Sequence, residues 1–200
     1  MRVGRCRVRH RLRTIMPKVK PRASVGVALI ARDAEQTLGA CLHSLRPFVS
    51  QIVCGVDELT TDRTAKIAKR NGADVVRSIP VSDWHECPAH GRVLAQHFGE
   101  ARNRTFNLLD PGLDFWLWID ADDVLEGGEH LAAACATLKA EGAAGAWLPY
   151  LYSWNLAPDG TKQPNTLFHR ERLLNTAYGP WRWQHRVHEV VEAPAGAVKG

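Results

Sequence analysis

The sequence has little with which to build a disulfide framework, a membrane span or a glycine-rich phosphate loop. Its five cysteines, Cys6, Cys41, Cys54, Cys87 and Cys135, are odd in number and scattered without a close pair. That usage fits buried thiols in a reducing compartment, so a cytoplasmic location is expected. No run of about 18 uninterrupted apolar residues occurs, which excludes a spanning helix. Neither GxGxxG nor GxxxxGKS/T follows any apolar run, so the dinucleotide fingerprint and the P-loop are both missing. Acids are absent from residues 1–22, which hold 9 of the 26 Lys and Arg. Without that arm, 17 basic groups face 21 acidic ones, so the net charge of +5 belongs to an appendage. The arm is expected to be solvated and disordered, and the slightly acidic remainder argues against nucleic acid as a partner. It lacks the apolar core of a secretory signal. Because MPKVKPRASVGV reads as an ordinary protein start, Met16 is the expected physiological first residue.

What is present is enough for one domain, residues 23–200, with a substantial core: chains near this length bury about 70% of their unfolded surface. SVGVALIA (24–31) is a β-branched apolar run, followed by polar ARDAEQ and by TLGACLHSLRPF with apolar residues at helical spacing. QIVCGV (51–56) repeats the strand signal. Thr61 or Asp62 is placed to cap a helix that Asn71 and Gly72 close, and DVVRSI (74–79) is a third strand. Residues 80–98 show no clean period and read as a long loop. A helix over 100–109 and a turn at 110–112 precede DFWLWI (114–119), too uniformly apolar for an edge strand. An Ala-rich helix over 128–141, an apolar run over 146–154, a strand around TLFHRERLL and a final strand VHEVVE complete the pattern. Alternating strands and helices predict an α/β domain with a mostly parallel, Rossmann-like sheet and helices on both faces.

The apolar strand runs straight into Asp120, Asp122 and Asp123. In open parallel sheets, ligands bind beyond the carboxyl ends of the strands. If the strand continues, Asp120 and Asp122 point to one side and Asp123 to the other. Like charges this close require a cation, and a divalent metal, Mg2+ or Mn2+, able to hold a substrate's phosphates is the simplest one. The alternative is a helix N-terminus capped by Asp122 or Asp123, although a cap uses one carboxylate rather than three.

Two families end an apolar strand in DxD. DADDV fits the pattern of haloacid-dehalogenase-type phosphatases, but the later adjacent acid pair is missing, since only Asp159, Glu171, Glu189 and Glu192 follow Glu141. The fuller match is to inverting family-two nucleotide-sugar glycosyltransferases of GT-A fold. SVGVALIARDAEQTLGACLHSL resembles their opening strand and helix, QIVCGVDELTTDRTAKIAKRNGADVV their second nucleotide-binding unit, GEARNRT their "ARN" helix and WLWIDADD their DxD strand. The resemblance spans residues 23–193 and implies transfer of a sugar from a nucleotide-diphosphate donor to a glycan, lipid or protein acceptor. It places Arg32, Glu35 and Asp57 at the base and ribose, Arg102 near the diphosphate, Asn103 as a loop-positioning residue, Asp120 at ribose or metal and Asp122 on the metal. Asp33 and Ala34 stand where members often have Asn and Glu, and Glu58 and Leu59 where small residues are usual.

Inversion needs a base on the face opposite the leaving group. The resemblance offers the pair in RVHEVVE, with His188 as a further metal ligand and Glu189 as the base, on opposite sides of a strand. A catalytically silent nucleotide-binding module is the reading outside enzymology: Gly200 follows soon after this pair, where members commonly continue into helices that shape the acceptor site. Asp62 reads as a helix cap, Arg102 equally as a surface charge, and His188 equally as a structural histidine. His85, Cys87 and His90 lack a fourth partner for zinc. Trp116, Trp118 and Trp147 are expected in the core, while Trp154, Tyr178, Trp181 and Trp183 are either core or a sugar-stacking platform.

Overall fold

The computed structural model describes residues 23–193, apart from the side chains of residues 84–87 and 93. The basic arm and Met16 lie outside the described residues, as do the side chains of His85 and Cys87. Strands β1 (Val25–Ala31), β2 (Gln51–Asp57) and β3 (Val75–Ile79) alternate with helices α1 (Leu38–Leu45) and α2 (Thr64–Arg70). A hairpin of β4 (Ser82–Cys87) and β5 (Gly91–Gln96) leads to α3 (Phe98–Phe106) and β6 (Phe115–Trp118). Helix α4 (Leu131–Glu141), a long ribbon of β7 (Gly145–Leu156) and β8 (Lys162–Asn175), and a short hairpin of β9 (Arg182–Gln184) and β10 (Val190–Glu192) follow.

The main sheet runs β3-β2-β1-β6-β8-β7, with β3, β2, β1 and β6 parallel and β8 and β7 antiparallel additions. The expected α/β architecture, mostly parallel with helices on both faces, is the one observed. β1 and β2 are buried on both faces, which is why their sequences are continuous apolar runs. Val25, Val27, Leu29, Ile52, Cys54, Phe115 and Leu117 meet α1, α2 and α4 on one face. On the other face Ala28, Val53 and Trp118 meet Phe106 of α3 together with Leu174, Trp181 and Trp183. Chain order reverses between β1 and β6: β2 and β3 extend the sheet one way, β6 the other. Loops leaving the two strands diverge there and open a crevice.

Three expectations are corrected. Residues 80–98 are the β4–β5 hairpin, not a loop. Its strands carry no continuous apolar stripe, and their described side chains are exposed or half-buried, Leu94 among the exposed ones. Trp147 is 62% exposed instead of buried, because β7 is the sheet edge. The last strand begins at Val190, so His188 and Glu189 lie in a turn and do not alternate along a strand. Trp181 and Trp183 are core, with Trp181 Nε1 donating to the carbonyl of Asn175. Asn71 and Gly72 (φ 92) close α2 as expected.

Helix α3 lies so close to β2 that a Cβ on Gly55 would sit 2.4 Å from Thr105 Oγ1 and 2.5 Å from Ile79 Cδ1. Gly55→Ala is expected to destabilise the fold by about 1–3 kcal/mol through overpacking. A lowered urea midpoint with an unchanged m-value would register it.

Candidate active site at the β1–β6 crevice

A cleft of about 1070 Å³ opens at the carboxyl ends of β1 and β6. Arg32 and Asp33 leave β1 into it, Asp120 and Asp122 leave β6, and Arg102, Arg170, His188 and Glu189 are among its other polar lining residues. The aspartates do not prolong the strand. β6 ends at Trp118, and the Asp123 amide donates to the Asp120 carbonyl at 3.1 Å, which turns the chain. Asp120 and Asp123 therefore share Arg172, with Nη2 at 3.4 and 2.9 Å, while Asp122 is exposed at the cleft. Asp120 and Asp122 both line the cleft and Asp123 does not, as the expected grouping has it, although Asp120 and Asp123 also share Arg172. Neither Asp122 nor Asp123 caps a helix: the next helical turn opens only at Gly128.

The compensating cations among the described residues are arginines. Buried Arg102, on α3, donates from Nη2 to Asp120 Oδ1 at 2.6 Å and from Nε to Glu189 Oε1 at 2.9 Å. Its guanidinium lies 4.8 and 4.9 Å from the rings of Trp118 and Trp183. Buried Arg172, on β8, lies 4.1 Å from the Trp118 ring and 4.6 Å from that of Tyr150. Desolvated cation–π stacking and charge-assisted bonds hold both side chains in one orientation. Arg102 is thus a buried bridge and not a solvated surface charge. Burial pushes the Asp120 carboxyl up, but Arg102 and Arg172 outweigh it and hold the group below its ordinary value. For Asp123 burial prevails over Arg172 and the carboxyl is raised. Burial, with Asp123 nearby, also pushes the Cys41 thiol and the Tyr150 hydroxyl to about 12, so neither ionises near neutrality.

The other expected residues divide. Arg32 lines the cleft, with Nη1 3.5 Å from Asp57 Oδ2. Asp57 is buried beneath it and not in the lining; its Oδ2 has no hydrogen bond among the described residues. Glu35 turns away to Arg63, at 3.0 Å, which lowers its carboxyl pKa. Asp62 accepts from the Thr64 amide and hydroxyl and from the Glu35 amide; it stands one residue ahead of the α2 N-cap, Arg63, and so ties the helix start to the β1 exit loop without being the cap expected. The Asn103 amide brackets Trp183, donating to its carbonyl at 3.0 Å and accepting from its N–H at 2.9 Å, and so ties β9 to α3. Sequence reasoning missed Arg170 and Arg172. The signal available was RxR within HRERLL, since residues two apart in a strand share a face.

Among the described residues, no group of three or more His, Cys, Asp or Glu is arranged to hold a metal ion. Asp122 and His188 both line the cleft, and Asp122 makes no side-chain hydrogen bond or ion pair among the described residues. A one- or two-ligand protein site suits Mg2+ or Mn2+, which commonly take their remaining ligands from phosphates and water.

No protein-family model and no curated protein matches the sequence. Solved structures resemble parts of it. Residues 1–349 of S. aureus TarS match at 17% identity and a TM-score of 0.48, covering 78% of this chain and 48% of that one. The same protein in complex with UDP matches at 15% identity and a TM-score of 0.48, over 78% and 47%. Glucosyl-3-phosphoglycerate synthase from Mycobacterium tuberculosis matches at 22% identity and a TM-score of 0.45, over 61% and 43%. Its complex with Mn2+, UDP and phosphoglyceric acid matches at 22% identity and a TM-score of 0.40, over 55% and 36%. The chain spans half or less of the length of these proteins, and the chemistry of its cleft rests on its own residues.

Two outcomes are expected from the arginine network. Arg102→Met strands Asp120 and Glu189 without their cation and should cost about 3 kcal/mol, read by urea denaturation. Because the Asp120 pKa is lowered on folding, its stabilisation is present above the unfolded carboxylate value and lost as pH falls through the folded one. Asp120→Asn should therefore flatten the loss of stability on acidification, measured as unfolding free energy from pH 7 down to pH 3.

Proposed function

We propose that the chain is a metal-dependent inverting glycosyltransferase that moves a sugar from a nucleotide-diphosphate donor to a hydroxyl acceptor on a glycan, lipid or protein. The observation that carries this reading is the cleft itself. It lies at the reversal point of a parallel sheet and joins a carboxylate without an ion pair among the described residues, Asp122, to a carboxylate pair, Asp120 and Glu189, bridged by one buried arginine. Arg32, at the exit of β1, holds the base and ribose end; buried Asp57 at the exit of β2 steadies it from beneath, with Glu35 bracing the β1 exit loop through Arg63. Asp120 faces the ribose or metal, and Arg102 fixes its orientation beside the diphosphate. Arg170 supplies a further positive charge to the lining; it makes no ion pair among the described residues. Asp122 and His188 hold the divalent ion, which when bound neutralises charge on the departing diphosphate.

In the transfer, the acceptor O–H loses its proton to Glu189, and the oxygen attacks the anomeric carbon. The bond from that carbon to the diphosphate oxygen breaks, and its electron pair leaves with the nucleotide. The sugar passes through an oxocarbenium-like state, as in glycoside hydrolysis. Arg102 holds Glu189 by Oε1 and leaves Oε2 for the acceptor proton. The phosphatase alternative asks for a free nucleophilic oxygen on Asp120, yet both of its oxygens accept from arginine. Among the described residues no helix is long and apolar enough to cross a membrane. Cys41, Cys54 and Cys135 are free buried thiols, which suits the proposed cytoplasmic setting.

Calorimetry with UDP, GDP and CDP sugars should show binding to one of them that strengthens about tenfold or more with Mn2+ and loses that gain in Asp122→Asn. Metal-independent binding, or none to any nucleotide, would remove the transferase reading.

A further inference from the structure

His188 and Glu189 ride on the turn over residues 185–189, between β9 and β10. The turn holds two non-glycine residues in the left-handed region, His185 (φ 70) and His188 (φ 55). Such a backbone keeps its shape only where the surroundings over-determine it. The restraint converges on Arg186. Its carbonyl accepts the Phe98 N–H at 2.8 Å, one of the first-turn amides of α3 that have no partner within the helix. Its guanidinium Nη2 donates to Asp83 Oδ1 and, at 3.2 Å, to the Ala95 carbonyl. Asp83 and Ala95 are paired across β4 and β5, so one side chain grips both strands of the hairpin. Alongside, Gly99 admits the turn against α3: a Cβ there would lie 2.3 Å from the His185 carbonyl oxygen.

We propose that Arg186 is a positioning residue that seats the His188–Glu189 turn at the mouth of the cleft, with the β4–β5 hairpin as its anchor. What the seated pair does rests on the glycosyltransferase reading; the seating itself does not. The described side chains of the hairpin are exposed or half-buried, and Arg186 links it to the site side of the fold. The Arg186–Asp83 pair is partly solvent-accessible, with side chains 30% and 52% exposed, so water screens it and it adds only modestly to global stability. Its removal should free the turn without unfolding the domain.

The test uses the full chain as wild type, as Arg186→Met and as the charge-swapped double variant Asp83→Arg with Arg186→Asp. Hydrogen–deuterium exchange over residues 184–191 should quicken about threefold or more in Arg186→Met, with β1, β2 and β6 unchanged. It should return toward wild type in the swap. With a donor sugar that the wild type hydrolyses in the presence of Mn2+, kcat should fall about tenfold in Arg186→Met as Glu189 loses its place, the donor KM should rise as His188 loosens, and both should recover in the swap. Exchange over 184–191 equal to wild type, or faster exchange spread through the core without rescue, would overturn the proposal. If the wild type neither binds nor turns over any nucleotide sugar, the functional reading fails, while the exchange result still decides the seating.

Discussion

A buried arginine that serves two carboxylates at once is the constraint on which the cleft depends. Arg102 leaves α3 between the indoles of Trp118 and Trp183 and spans from Asp120, at the exit of β6, to Glu189, in the β9–β10 turn. These residues lie far apart in sequence and meet only because α3 packs across the sheet. A guanidinium is suited to the task because it is planar, stays charged when buried and donates in a fixed fork. A lysine in the same place would offer one charged nitrogen and no plane to stack.

That bridge also explains how three aspartates can follow an apolar strand. Two of them are met by arginine, Asp120 by both Arg102 and Arg172 and Asp123 by Arg172, and the chain turns between Asp120 and Asp123. The electrostatic debt of the cluster is largely settled within the fold, and of the two aspartates that line the cleft, Asp120 is held by arginine while Asp122 is exposed. A metal in the proposed site would thus answer to one protein carboxylate and to the ligand it carries. The need for a cation was sound as physics; its identity, for two of the three groups, was a matter of packing.

The site is assembled from pieces that differ in rigidity. The exits of β1 and β6 are carried by a sheet buried on both faces, so Arg32 and Asp120 are placed by the core. The ribbon of β7 and β8 contributes Arg170 and Arg172 near its buried end and then continues outward with both strands exposed. The His188–Glu189 turn is held from outside, by α3 and the β4–β5 hairpin. Groups that bind the nucleotide in the proposed reaction sit on the first kind of support, and the proposed base on the last.

Local pattern was sufficient for the strands and helices of the parallel half, because a strand buried on both faces needs continuous apolar sequence and a covering helix needs an apolar stripe. The same reasoning placed Asp120 and Asp122 at a strand end and Asp62 at a helix start. The β4–β5 hairpin was illegible because its strands carry no continuous apolar stripe. The exposure of Trp147 followed from its place on an edge strand, which composition does not record. Which aspartate is free, which are paired, that Glu35 faces Arg63, and that Arg102, Arg172 and Arg186 act as bridges were decided by tertiary structure alone. Each depends on a partner 18 or more residues distant, and a chain written in one dimension holds no distance between such residues until the sheet has closed.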